Sequence, residues 1–260
     1  NMVETPNLDK IAEKGTVFDA AYTSCPLCVP ARMSFLSGQL PSKTGIYTNF
    51  EALAENQTTF LHSLAAEGYE TVLCGRMHFV GENQRHGFTK RIMGDLTNVY
   101  SGYHKNLEEQ GVYSGTLRET GCLDLIGGGN SPVLEYDRNV IKAALEYLNE
   151  DHEKPQCIVV GTYGPHFPYV APTELYEYYK GLVELPFTYQ NQLNYKHLIL
   201  DGRKQKDYTS KITKEKKKVD QDIILKARAA YMGMITNLDK QIGEVYQKWQ
   251  EYLERKQDKG

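Results

Sequence analysis

The sequence predicts an α/β fold in which a mainly parallel sheet is sandwiched by helices. Two short apolar runs, at 69–74 and 156–160, end at a glycine, and a helical pattern precedes each of them. Helices that alternate with short apolar strands are typical of parallel sheets, because parallel neighbours need a crossover connection between them. The 260 residues are enough for one such domain, so we expect a single domain over residues 1–260.

The first helix is predicted from the residues at its two ends. Thr5 suits the N-cap, Pro6 suits the first helical position, and Gly15 suits the residue that follows the last turn. Between them the apolar positions follow the helical period. The positions that we expect to be buried are Leu8, Ile11 and Ala12.

Four further helices follow from the same kind of pattern. Pro30 can begin a short helix that stops at Gly38, and a third helix is predicted over 58–67. A fourth runs from Ser131 to about Asn149, and a long amphipathic pattern extends from about Asp220 to the end of the chain. The second and third helices precede the first strand, and the fourth precedes the second strand.

Two segments carry no clear period. Residues 81–129 are rich in Gly, Asn, Tyr and charged residues, and we expect long loops over the mouth of a site. Residues 203–218 hold eight basic residues and two acidic ones. A solvated loop is the simpler interpretation of that segment, and a polyanion-binding patch is the alternative.

Composition excludes several classes of function. The formal net charge of -3 predicts no general attraction to nucleic acid. No apolar run reaches the length of about 18 residues that a membrane span needs, so we expect no membrane segment. The five cysteines are too few and too irregularly spaced for a disulfide scaffold.

The loop at Cys28 carries the first chemical motif. Cys28, Pro30 and Arg32 stand at alternate positions, and Ser37-Gly38 follows one short helix later. A helix that starts here would direct free N–H groups toward an anion, and Arg32 lies one turn into it. Two other interpretations stay open for Cys28, namely a core thiol and a redox pair with Cys25.

Two more motifs follow the predicted strands. Gly75-Arg76-Met77-His78 comes directly after the first strand, and Pro165-His166-Phe167-Pro168 comes just after the second. Open α/β sheets bind ligands at the carboxyl ends of their strands, which favours a functional role for both histidines. The alternatives are a structural histidine at position 78 and a proline-rich turn around position 166.

These three motifs, in this order, resemble the type I sulfatase family of the alkaline-phosphatase-like superfamily. The segments at 78–88 and 165–172 are most similar to its choline-sulfatase-like branch and to arylsulfatases. The resemblance covers nearly the whole chain and implies the alkaline-phosphatase-like α/β fold. It also implies hydrolysis of a sulfate monoester by formylglycine, the aldehyde that such enzymes make from a cysteine, here Cys28.

The resemblance assigns a role to each motif residue. Arg32 would hold the aldehyde hydrate, and Arg76 stands where the family has a lysine that contacts the sulfate and the hydrate. His78 would help to break down the sulfated intermediate, and His166 would contact the sulfate and protonate the leaving oxygen. The catalytic set is therefore Cys28, Arg32, Arg76, His78 and His166. Asn49 and His86 are candidates to line the substrate pocket, and a surface loop position is the equal alternative for either of them.

A divalent cation, calcium or magnesium, is also implied. In the family it is held by an Asp-Asp pair before this region and by an Asp-His or Asp-Asn pair after it, so we expect the fold to be incomplete at both ends. Only Cys28, as formylglycine, remains of that ligand set, because Asp9 and Asp239 lie in helical patterns and do not replace it. We expect this chain alone to bind metal weakly and to catalyse poorly, with exposed sheet edges that allow a homo-oligomer.

The implied partners are a small sulfated substrate and the formylglycine-generating enzyme that matures sulfatases. Similarity to choline-sulfatase-like enzymes implies a cytoplasmic location. Two alternatives remain open. One is a phosphonate monoester or phosphodiester hydrolase, which shares the cysteine motif and fold, and the other is a relative that binds anions without catalysis.

Overall fold

A computed structural model describes residues 2–96, 123–187 and 219–257. Contacts divide the chain into two compact units, where a single domain is predicted. The first unit comprises the described residues of Asn1–Glu13, Ser114–Glu135 and Gly164–Glu244. The second comprises those of Lys14–Tyr113, Tyr136–Tyr163 and Val245–Gly260. The basic segment 203–218 and most of the unperiodic segment 81–129 lie outside the described residues.

The described chain contains both helices and parallel strands, as predicted for an α/β fold. The helices are α1 Pro6–Lys14, α2 Cys28–Ser37, α3 Pro41–Thr44, α4 Phe60–Ala66, α5 Pro132–Asn149, α6 Thr173–Lys180 and α7 Gln221–Gln257. The strands are β1 Glu70–Gly75, β2 Lys90–Met93, β3 Ile126–Gly128, β4 Gln156–Gly161 and β5 Tyr169–Ala171. The predicted boundaries of α1 and α5 and the predicted start of α7 agree with these within a residue, and the predicted end of α7 lies outside the described residues.

The second unit is built on a parallel sheet of three strands in the order β2-β1-β4. In the register of β1 and β4, Glu70 lies beside Gln156 and Gly75 beside Gly161, so both strands end together. The carboxyl ends that precede the Arg76 and His166 motifs therefore lie at one edge of the sheet. Strand β2 lies within the segment predicted as loop. Two of its four residues are charged, and the structure shows all four only partly buried.

Helices α2 and α4 pack against the sheet around one apolar core. The buried residues of this core are Val29, Met33, Leu36, Ile46, Leu53, Leu61, Leu73, Met77, Phe79, Val80 and Phe88. Thr59 caps α4, since its side chain and that of His62 each bond to backbone at the start of the helix. The cap fixes where α4 begins, at Phe60, two residues after the predicted Thr58.

The first unit contains the short parallel pair β3 and β5, with α6 and the amino-terminal part of α7. Their core includes Ala171, Tyr176, Tyr179, Ala229, Ala230 and Met234. Asp239 of α7 accepts hydrogen bonds from the backbone N–H groups of Asn7 (3.1 Å) and Leu8 (2.8 Å). A carboxylate at the first turn of α1 satisfies N–H groups that have no partner within the helix.

The predicted buried face of α1 is wrong. No residue of α1 is buried, and Leu8 is 40% exposed. Asp239 holds the start of the helix by polar contacts, and of the predicted stripe only Ile11 is half-buried, while Leu8 and Ala12 are exposed.

None of the helices in the described part of the chain combines the length and the apolar character that a membrane span requires.

Candidate active site

Cys28 is the first residue of α2. Leu27 before it has extended backbone (φ -140°, ψ 144°), and its carbonyl accepts the first helical hydrogen bond, from the N–H of Ala31 at 3.0 Å. The helix thus begins two residues before the predicted Pro30, which occupies its first turn. Proline is tolerated there because the first N–H groups of a helix have no intrahelical acceptor. Gly38, in the left-handed region at φ 67°, ends the helix as predicted.

Asn49 lies at the same helix end. Its side-chain oxygen accepts a hydrogen bond from the backbone N–H of Val29 at 2.9 Å. The amide of a distant loop residue thus occupies one of the free donors of α2. This contact brings Asn49 next to Cys28, which agrees with a position beside the predicted site.

Cys28 differs in its environment from the two cysteines of the sheet strands, Cys74 and Cys157. Cys25 and Cys28 are both half-buried free thiols, so the two do not form a disulfide. Cys74 is fully buried in β1, where burial raises the pKa of its thiol to about 12. Burial also raises the pKa of Cys157. A thiol at a helix start with partial access suits chemical modification better than a thiol in a sheet.

Arg76 follows β1 and is almost fully buried, at 3% exposure. Its guanidinium lies over the ring of Tyr163, 4.1 Å from the ring centre, and its Nη2 lies 3.1 Å from Nδ1 of His78. Its Nε lies 4.0 Å from Oδ1 of Asp95 and has no hydrogen-bond partner. A planar guanidinium can stack on an aromatic ring and donate sideways at once, which the family's lysine cannot.

The backbone below Arg76 leaves no room for side chains. The N–H of Arg76 donates to the carbonyl oxygen of Gly161 at 2.8 Å. A methyl group added at Gly161 would overlap the carbonyl oxygen of Arg76. Gly75, at φ 91°, occupies the left-handed region that favours glycine. The two strand-ending glycines therefore let the Arg76 loop lie directly on the end of β4.

His78 takes the rare left-handed conformation, at φ 62°. Its backbone N–H donates to Oδ2 of Asp95 at 2.7 Å, and the N–H of Met77 donates to the same oxygen at 3.2 Å. Because a guanidinium can only donate, the contact with Arg76 makes Nδ1 of His78 the acceptor. The hydrogen of the neutral ring is then on Nε2.

Arg32 belongs to the same electrostatic neighbourhood. Partial burial lowers the pKa of Arg32, and the positive charge of Arg76 lowers it further. Asp95 and Cys28 act in the opposite direction. Three guanidinium groups, those of Arg32, Arg76 and Arg91, thus share the field of the Asp95 carboxylate, and an oxyanion beside Arg32 and Arg76 would relieve the repulsion between these two.

His86 lies in the core of the second unit. It is 2% exposed, its ring is 4.8 Å from that of Phe79, and neither ring nitrogen has a hydrogen-bond partner. Burial lowers the pKa of His86, and His62 adds to that shift. The ring faces aromatic core in this structure, whereas a pocket wall or a surface loop was expected.

His166 belongs to the first unit, in the turn that precedes β5. It is half-buried, and its Nδ1 lies 3.0 Å from the carbonyl oxygen of Phe167. A carbonyl oxygen only accepts, so Nδ1 carries the hydrogen and Nε2 holds the lone pair of the neutral ring. Donation of a proton from Nε2 would require the doubly protonated ring.

The structure also identifies groups that the sequence patterns missed. Asp95 follows β2 within the segment predicted as loop, and only its place after a strand could have indicated it. Tyr163 lies two residues before Pro165 of the third motif, and Asp137 lies on helix α5. Asp137 accepts a hydrogen bond from the backbone N–H of Tyr163 at 2.6 Å and so fixes the residue whose ring covers Arg76. No local pattern links these positions.

A metal site is not formed by the residues that the structure describes. They contain no group of three or more His, Cys, Asp or Glu side chains that could hold an ion. Asp239 is buried, and both of its oxygens accept hydrogen bonds from Asn7 and Leu8, so it is a capping residue. The described residues therefore do not form a site that fits a cation.

Comparison with known proteins agrees with the motifs. The Sulfatase family profile matches residues 1–256. The choline-sulfatase of Rhizobium meliloti is 29% identical over 94% of this chain and 49% of its own length. The arylsulfatase of Clostridium perfringens is 28% identical over 93% of this chain and 53% of its own. The chain thus spans about half the length of the curated relatives it matches.

A solved structure supports the fold. The phosphonate monoester hydrolase of Agrobacterium radiobacter superposes with a TM-score of 0.69 and 18% identity, over 96% of this chain and 55% of that one. The predicted alkaline-phosphatase-like α/β fold is confirmed. With a family match over almost all of its length, the chain belongs to the sulfatase family.

Proposed function

We propose that the full-length protein hydrolyses sulfate monoesters and that Cys28 is the precursor of its formylglycine. The observation that carries this proposal is the position of Cys28, at the first residue of α2 with Arg32 and Arg76 sharing its electrostatic surroundings. A helix start and two guanidinium groups favour a bound oxyanion. The family membership and the choline-sulfatase and arylsulfatase relatives support the same reaction.

The half-buried Cys28 suits the modified side chain. Once oxidised, it would supply a hydrated aldehyde, which is a stronger nucleophile than water toward sulfur. The N–H groups at the start of α2 and the guanidinium of Arg32 would hold its oxygens. Asn49 would fix the helix end through the Val29 N–H, so the side chain of residue 28 keeps one direction.

Arg76 would offset the charge of the sulfate. The guanidinium of Arg76 is desolvated and already oriented by the ring of Tyr163, so little reorganisation accompanies anion binding. A singly charged sulfate ester would offset part of the positive charge of the guanidinium groups that surround Asp95. His166 would assist the departing alcohol by donating from Nε2 of the doubly protonated ring.

His78 can accept a proton from the hydrated aldehyde only if its hydrogen bond with Arg76 is broken first. In the present arrangement Nδ1 accepts from Arg76 and Nε2 carries hydrogen, so the neutral ring can donate but has no free lone pair. For His78 to take a proton, Arg76 must release Nδ1. Binding of sulfate by Arg76 would supply that release.

Parallel assays test the proposed reaction. The full-length protein, matured by co-expression with a formylglycine-generating enzyme, is offered an aryl sulfate, an aryl phosphodiester and an aryl phosphonate monoester. We expect the highest kcat/KM with the sulfate and at least a ~10³-fold loss in Cys28→Ala, because a nucleophile is then absent.

Two other outcomes would contradict the proposal. A preference for the phosphonate or the phosphodiester would favour the activity of the structurally similar phosphonate monoester hydrolase, since a cationic pocket accepts tetrahedral oxyanions of either element. Binding of inorganic sulfate with no turnover of any ester would favour a non-catalytic anion-binding relative.

A further inference from the structure

Asp95 makes contacts with both functional residues of the loop that follows β1. Its Oδ2 accepts the backbone N–H groups of Met77 and His78, at 3.2 and 2.7 Å. Its Oδ1 lies 4.0 Å from Nε of Arg76. Asp95 is buried with Arg76, at side-chain exposures of 7% and 4%. One carboxylate therefore fixes the loop backbone and faces the Arg76 charge in the same low-dielectric surroundings.

The loop would not hold this shape by its own preferences. A left-handed backbone is unfavourable for histidine, and it persists only when neighbouring groups determine it. The hydrogen bond from the His78 N–H to Asp95 supplies such a determinant at the residue with φ 62°. The side chain of His78 then points so that Nδ1 meets Nη2 of Arg76 at 3.1 Å.

Arg76 is also fixed from its other side. Tyr163 covers the face of the guanidinium at 4.1 Å, and Asp137 binds the Tyr163 N–H at 2.6 Å. Arg76, His78 and Asp95 thus form one connected group, with Tyr163 as its wall. A lysine ammonium would lack the planar face and the sideways donor that this arrangement uses.

We propose that Asp95 is a positioning residue that holds Arg76 and His78 as one unit, with the His78 hydrogen on Nε2. Asp95 acts through these two side chains and does not itself touch the substrate. The catalytic consequence rests on the proposed sulfatase function, whereas the geometric consequence for His78 does not.

Two substitutions separate the tasks of the carboxylate. Asp95→Asn retains an oxygen that can accept the two backbone N–H groups but removes the charge that faces Arg76. Asp95→Ala removes both. The exposed ion pair of Asp222 with Lys226 offers a matched control, Asp222→Asn, which lies on the surface of α7.

The ring nitrogens of His78 give a readout that needs no substrate. In the full-length protein with ¹⁵N-labelled histidine, we expect the His78 resonances of an unprotonated Nδ1 and a protonated Nε2, assigned with His78→Gln. Asp95→Ala should shift both resonances toward tautomer averaging and should lower the hydrogen-exchange protection of the Met77 and His78 amides by at least ~10-fold. Asp222→Asn should change neither.

Kinetics give the second readout. In the matured full-length protein, Asp95→Asn should lower kcat for an aryl sulfate by ~10-fold or more without raising KM, because an unbalanced Arg76 still attracts the anion but in a less favourable orientation. Asp95→Ala should lower kcat by ~100-fold.

The outcomes separate the two proposals. Unchanged His78 resonances in both Asp95 variants would overturn the positioning role, and so would a kcat within about twofold of the wild type. Shifted resonances in a protein that hydrolyses no sulfate ester would support the positioning role and contradict the proposed function. If Asp95→Ala does not fold, the kcat of Asp95→Asn decides, and a value within about twofold of the wild type would overturn the positioning role.

Discussion

Arg76 carries its charge at 3% exposure, and the side chains around it explain how such burial is tolerated. An isolated charge in low dielectric is costly, but a carboxylate, an aromatic face and an imidazole acceptor surround this one. Because the Arg76 side chain is almost fully buried, an anion that bound its guanidinium would displace little water. The arginine at this position is therefore a buried charge that its neighbours compensate.

His86 gives a prediction for the pH dependence of stability. Burial holds the pKa of His86 below its ordinary value, so the folded state binds this proton less readily than the unfolded state does. Above the unfolded pKa of about 6.5 the ring is neutral in both states and contributes nothing. As the pH falls below that value, the unfolded state gains the proton and the free energy of unfolding decreases.

Urea unfolding of the wild type and of His86→Phe at pH 7.5 and 5.5 measures this contribution. We expect the loss of stability between the two pH values to be smaller in the variant by about 1 kcal/mol. Any strain from phenylalanine at φ 42° is present at both pH values and cancels in the difference. Equal losses in the two proteins would show that His86 is not the responsible group.

At the scale of elements, the ends of β1 and β4 determine the site. Gly75 and Gly161 lie side by side in the parallel register, and the Arg76 loop crosses directly over Gly161. Parallel strands that end together place the residues directly after them at one edge, and Arg76 and Tyr163 meet there. The contact is backbone on backbone, and it tolerates no side chain.

Gly161→Ala should therefore destabilise the protein by about 3 kcal/mol or more, since the added methyl group overlaps the Arg76 carbonyl. Gly181→Ala is the matched control, because Gly181 has ordinary helical backbone and its nearest neighbour would lie 3.6 Å away. That change should leave stability within about 1 kcal/mol of the wild type. Thermal or urea unfolding compares the two, and equal stabilities would contradict the close crossing.

The start of α1 depends on a single carboxylate. Asp239 accepts three hydrogen bonds, from the Asn7 and Leu8 backbones and from the Asn7 side chain. Asp239→Ala should lower the free energy of unfolding by about 2 kcal/mol, because these donors lose a charged acceptor. Asp239→Asn, which keeps one oxygen, should cost about half as much.

Hydrogen exchange of the α1 amides locates this effect. Exchange should accelerate over residues 6–14 in Asp239→Ala and remain unchanged in Glu177→Gln, which alters an exposed ion pair on α6. Unaltered exchange in both variants would mean that other contacts hold the helix.

For the whole molecule, the elements that carry local signals could be predicted and those made by distant contacts could not. Helix α5 begins at Pro132, directly after Ser131, and β1 ends at Gly75. Both boundaries could be predicted because proline and glycine have strong backbone preferences. Strand β2 has two charged residues in four, and it is a strand because β1 pairs with it.

The candidate site divides in the same way. Cys28, Arg76 and His78 stand in motifs whose residue types suit anion chemistry, so they could be proposed from sequence. Asp95 and Asp137 act across 17 and 26 positions of the chain, and no periodicity records such pairings. His86 was expected near the pocket because it follows the His78 motif in the sequence. In the structure its ring packs on Phe79.

The central claim is that residue 28 becomes an aldehyde and that sulfate ester hydrolysis depends on it. Mass spectrometry of the Cys28 peptide, from full-length protein co-expressed with a formylglycine-generating enzyme, tests this claim most directly. Replacement of the thiol by the aldehyde should lower the peptide mass by about 18 Da, and the converted fraction should scale with aryl sulfatase activity. An unchanged mass in a preparation that hydrolyses sulfate esters would contradict the account.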